Sequence, residues 1–127
     1  MSDGYRRQRV IFGDISGALV VTTATTTTTL VTPKTNHTIY VQRIDIQVTT
    51  GSATTWSVRD NNSTVVDLTG TLDVSSAPLH HGPFDFGPIG IPITAGKLLT
   101  LTIGGAGAAG VVTWDGYQKL TTVTGDH

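Results

Sequence analysis

The side chains best placed to do chemistry are His80 and His81, with Asp73 and Asp85 close by along the chain. Neighbouring residues of a strand point to opposite faces, so the two imidazoles cannot close on one metal ion without distorting the backbone. A zinc site needs three or four converging ligands, and the chain has no cysteine to add one. The pair therefore reads as polar edge residues near a subunit contact, and no metal or cofactor is expected. Acyl transfer needs a Ser or Thr hydroxyl beside a His that an Asp orients. Four His and nine Asp supply the parts, but no Gly-x-Ser-x-Gly elbow presents a nucleophile. The aspartates sit mainly in turn-like positions, where bonding to the local backbone explains them, so a carboxylate pair for glycoside hydrolysis is unsupported. The expectation is a protein without enzymatic activity.

Binding chemistry is the other possibility. Trp56, Trp114 and Tyr117 could form a platform for stacking sugars, but a Trp on an alternating strand is more often core. Both tryptophans are assigned to the core, and Tyr117 is left open. Gly104–Gly110 is rich in small residues but lacks the Lys-Ser/Thr ending of a phosphate loop. Three matches to the glycosylation acceptor pattern begin at Asn36, Asn61 and Asn62, and they matter only in a secretory pathway. The eight-residue stretch Thr22–Thr29 lacks the fixed repeat of an ice-binding face. Arg6, Arg7 and Arg9 gather three of the eight basic residues near the N-terminus, followed by Val10, Ile11 and Phe12. Three arginines are few for nucleic acid but enough to pair with carboxylates on another subunit. Tyr5, Arg6, Arg7, Arg9, Ile11 and Phe12 are therefore the expected contact residues.

These side chains need a scaffold, and the composition says which. A formal net charge of -1 with 13% charged residues gives no general pull toward nucleic acid or anionic membranes. No apolar run approaches the roughly 20 residues that cross a bilayer, and the N-terminus lacks the order of a signal peptide. At 127 residues one domain can bury a core without disulfides or metal. Abundant Thr and the absence of Glu favour strands over helices. Alternation marks strands over Thr38–Thr50, Thr54–Asp60, Leu99–Ile103 and Val111–Leu120, and a further strand is expected over Thr64–Thr69. In the longest, Tyr40, Ile44, Ile46 and Val48 share one face while Ile39 and Val41 fall on the other. Either both faces are covered or a bulge near Gln42 shifts the phase. Between Pro83 and Pro92 three prolines and two glycines exclude helix. The apolar Phe84, Phe86, Ile89 and Ile91 there call for burial in an extended crossing over the core.

About eight strand candidates and no helix predict an all-β fold, an antiparallel β-sandwich of jelly-roll type with an extended N-terminal arm. The expected division is residues 1–32 as arm and Thr-rich edge segment, 33–120 as the sandwich, and 121–127 as a C-terminal tail.

The order of motifs over Thr38–Leu120 adds a family likeness. A strand like Ile39–Val48 is followed by a small-residue turn, a short strand like Thr54–Asp60 and Leu68-Thr69-Gly70. Then come the crossing Pro83–Gly90, the turn Thr94-Ala95-Gly96, Leu99-Thr100-Leu101, and a last strand holding Val112, Trp114 and Tyr117. This order resembles small virion proteins of tailed bacteriophages, of the jelly-roll capsid decoration (cement) or head-fibre type. The resemblance implies a homotrimer seated on the major capsid protein, located on the virion after synthesis in the host cytoplasm, with neither nucleic acid nor membrane as partner. It implies no catalytic residues. The alternative is a receptor- or glycan-binding head-fibre or tail module using exposed aromatics and loops such as Asp60–Ser63.

Overall fold

A computed structural model of the chain describes residues 13–121. Among them are ten strands and no helix: β1 (Gly13–Asp14), β2 (Gly17–Val21), β3 (Thr28–Val31), β4 (His37–Thr50), β5 (Thr55–Asp60), β6 (Leu72–Asp73), β7 (Leu79–Asp85), β8 (Ile91–Pro92), β9 (Leu99–Ile103) and β10 (Ala109–Leu120). All pairings are antiparallel. They form two sheets, one ordered β1-β10-β4-β7 with β2 also on β10 and β8 also on β4, the other ordered β3-β9-β5-β6. We call these sheets A and B. Together they make a β-sandwich, and no helix among the described residues is long and apolar enough to cross a membrane.

The pairings are nested. β5 pairs β6, β4 pairs β7, β3 pairs β9 and β2 pairs β10, as in one long hairpin folded near β5–β6. Alternate pairs go to alternate sheets. The core between the sheets is one cluster, built from Ile39, Val41, Ile44, Ile46, Val48 and Val112 of sheet A against Trp56, Val58, Leu99 and Leu101 of sheet B. Both tryptophans belong to it.

The phase break in the longest strand is a bulge. Arg43 lies opposite Asp115 but Val41 lies opposite Gly116, leaving Gln42 as the extra residue. Ile39 and Val41 therefore point into the same core as Ile44, Ile46 and Val48, and Tyr40 leaves the inward face that simple alternation assigned to it. Gly116 sits at this shift and Gly110 at the second one in the same ladder. A Cβ on either would collide with a β4 carbonyl oxygen, that of Tyr40 or Gln47.

Three expectations change. The sandwich begins at Gly13 rather than at residue 33, because β1, β2 and β3 pair with β10 and β9. The strand expected over Thr64–Thr69 is an irregular line along β5. It is held by Asp60 N–H to Val66 O and Leu68 N–H to Val58 O, with one bridge between Arg59 and Asp67. In the Pro83–Pro92 crossing, Phe84 and Phe86 pack on the core, but Ile89 is 73% exposed and Ile91 37%. Pro83 and Pro92 lie in β7 and β8 at the edge of sheet A, where a missing donor is tolerated.

Candidate functional site

The expected contact residues Tyr5, Arg6, Arg7, Arg9, Ile11 and Phe12 lie outside the described residues. What is described is the joint that carries them. Gly13 pairs with Gln118 and Asp14 with Tyr117. Ile15 then buries its side chain in the core, and its carbonyl accepts the buried Trp114 indole N–H at 2.6 Å. A core side chain and a buried hydrogen bond anchor the chain just after β1. The Ser16 amide donates to Asp14 at 2.9 Å, and with the Ser16 hydroxyl it holds the Asp14 carboxyl below its ordinary value.

Beside this joint the bulge at Gln42 puts Tyr40 on the outer face of sheet A. Its ring stacks on Tyr117 of β10, centroids 5.1 Å apart and planes within 1°. The Lys119 ammonium lies 4.9 Å from the Tyr40 ring centroid, a cation–π contact. The Tyr117 hydroxyl donates to Ile89 O at 2.7 Å, the Gln42 side-chain Nε2 donates to Pro88 O, and the Phe86 backbone N–H donates to Gln42 O at 2.8 Å. These three bonds pin the loop between β7 and β8 against the tyrosine pair, leaving Ile89 and Ile91 exposed on its rim. The rings are engaged with each other, and Trp56 and Trp114 are buried in the core, so the three rings Trp56, Trp114 and Tyr117 do not form a common exposed platform. The corner is thus pinned, aromatic and aliphatic.

The residues that could have been catalytic are separated. His80 pairs with Gln47 and contacts Asp45 of the same outer face. His81 turns the other way and its Nε2 hydrogen-bonds the Asp73 carbonyl oxygen at 2.8 Å. A shallow groove of about 350 Å³ runs beside His80, lined by Gln47, Val48, Thr49, Pro78 and Leu79. Among the described residues no Ser or Thr hydroxyl bonds to His80, and no three His, Cys, Asp or Glu converge on a possible metal position. Asp14, Asp60, Asp67, Asp73 and Asp85 each accept a nearby backbone amide, which is the turn role expected of them. Ser75 holds the Asp73 carboxyl below its ordinary value.

Asp60 does more than its position in a turn suggested. It is 1% exposed, and its two oxygens accept the amides of Asn62, Val66 and Thr94 at 2.9 to 3.1 Å. Burial pushes this carboxyl up, but the bonds from Thr94, Val66 and Asn62 outweigh it and leave the group below the ordinary carboxylate value. Both of its oxygens serve the fold. The sequence held no signal for this, because the three donors come from two separate loops.

Comparison with known proteins finds no matching family model, no matching curated protein and no matching solved structure.

Proposed function

We propose that this chain is a non-enzymatic structural protein of a tailed-phage virion, a capsid decoration or cement protein that binds the major capsid protein as a homotrimer and stabilises the head shell. The observation that carries this reading is the nested pairing of β2–β10, β3–β9, β4–β7 and β5–β6 into alternate sheets. Such nesting fits a jelly roll, the fold the family likeness implies. The pinned corner of Tyr40, Tyr117, Ile89 and Ile91 beside the start of β1 supports the same reading, since Arg6, Arg7 and Arg9 precede β1 in the chain.

The mechanism is mass action. A ligand that binds only the assembled shell stabilises it by its binding free energy, and three linked copies raise the effective concentration of each further contact. Nucleic acid and membrane have no part in it.

The test is co-sedimentation of purified protein with head shells of the parent phage lacking this chain. The full chain is expected to pellet with the shells and raise their melting temperature, whereas a variant lacking residues 1–12 stays in the supernatant. Deletion stops at residue 12 because Ile15 belongs to the core. Equal pelleting of the two proteins would overturn the assignment of the contact residues, and no pelleting of either would overturn the function.

A further inference from the structure

Sheet edges present unpaired N–H and C=O groups, and proteins blunt them with proline, bulges, charge or short length. Nearly every edge among the described residues is blunted. β7 contains Pro83 and its ladder with β4 is interrupted between Ile44 and Ile46. β8 is two residues long and includes Pro92, β6 and β1 are two residues long, and β3 has a register shift between Thr29 and Val31.

β2 is the exception. It runs Gly17-Ala18-Leu19-Val20-Val21 in unbroken register with Trp114 to Gly110 of β10, without proline, charge or shift. Its ladder bonds all go to β10, and no described residue pairs with its other side. Val20 on this edge is 70% exposed. Five residues offer about 17 Å of pairing edge.

We propose that this edge receives, as an added strand, residues Arg9-Val10-Ile11-Phe12 of a second copy of this chain. These residues suit a strand, being β-branched and aromatic after Arg9. Charge favours the match: residues 1–12 hold three arginines and one aspartate, whereas the described residues hold seven aspartates against five lysines and arginines. The chain's own segment is poorly placed. β1 precedes β2 along β10 in the same direction, so the segment would have to reverse just before Gly13. Arg9 to Phe12 contain no Gly, Pro, Asn or Asp to turn on. Donation to a neighbour needs no reversal. Such a contact is heterologous and makes a ring where the rotation between copies closes, at three copies for a trimer. The inference deepens the trimer part of the proposed function and rests on that reading only for the number of copies.

Two variants isolate the halves. A chain lacking residues 1–12 keeps the acceptor edge alone. The Ala18→Lys/Val20→Lys double variant keeps the donor segment alone, because both side chains are exposed and lysines on an edge oppose pairing and repel the arginines. In native mass spectrometry the full chain is expected as a closed oligomer. Each variant alone should be monomeric with an unchanged circular dichroism spectrum, and the two mixed should form a 1:1 complex. A mixture that stays monomeric, or an oligomer that persists in either variant, overturns the proposal. Capsid binding is scored separately. A monomeric full chain that pellets with shells would sink this inference and spare the function, and a ring that ignores shells would do the reverse.

Discussion

Sheets A and B cover the same core but handle irregularity in different places. In sheet A it lies inside the long ladder between β4, of 14 residues, and β10, of 12. Its two register shifts turn Tyr40 outward and let glycine backbone press against β4. In sheet B the strands have at most six residues, the register shift falls on the edge strand β3, and one buried carboxylate ties down two loops. Sheet A can therefore vary what its outer face and edges present without disturbing the core. Sheet B closes the other side.

The largest expected effect strikes the ladder of sheet A. Gly110→Val drives a Cβ into the Gln47 carbonyl oxygen, and the ladder must part to admit it. We expect a loss of more than about 4 kcal/mol in urea unfolding, or no folded protein. Gly105→Ala is the control. Its Cβ would meet only the Thr54 hydroxyl at 3.5 Å, so the change should stay within about 0.5 kcal/mol. Similar losses at both glycines would erase the distinction between a constrained ladder and a tolerant turn.

Sheet B should be most sensitive at Asp60. Asp60→Ala leaves the Asn62, Val66 and Thr94 amides without their acceptor, at a cost of about 3 kcal/mol. The pH dependence has a defined sign. A carboxyl held below its ordinary value of 3.8 contributes stability that is complete above that value and is lost as pH falls through the lower folded value. Unfolding free energy measured from neutral pH down past 3.8 should thus fall more steeply in the parent than in Asp60→Ala. Parallel curves would show that the loops, and not this carboxylate, hold the open end of sheet B.

The sequence made the all-β class and the central strands legible, since alternation in Ile44–Val48, Trp56–Val58 and Leu99–Ile103 survives in the structure. Even the bulge left a mark, as the break of phase between Val41 and Ile44. Alternation carried straight through that break puts Tyr40 inward, and the bulge turns it outward. The strands β2 and β3 were hidden for a different reason. They flank a threonine run, and edge strands of four or five residues bury too few side chains to print a pattern. Asp60 looks like any turn aspartate until two loops converge on it. Ile89 and Ile91 look like core until Tyr117 and Gln42 pin their loop outside it.

The smallest expected effect compares the two buried tryptophans, one in each sheet. Trp114 donates its indole N–H to Ile15 O, whereas the Trp56 Nε1 is buried without a partner. Replacement by Phe removes a similar amount of ring from each, so the donor decides the difference. At Trp114 it strands a buried carbonyl, and at Trp56 it removes a donor already left unpaired. Trp114→Phe should therefore cost about 1 to 2 kcal/mol more than Trp56→Phe in urea unfolding. Equal costs would mean that the Trp56 indole is satisfied in solution and that the sheets do not differ in this respect. A larger cost at Trp114 would tie stability to the hydrogen bond that anchors Ile15 beside β10.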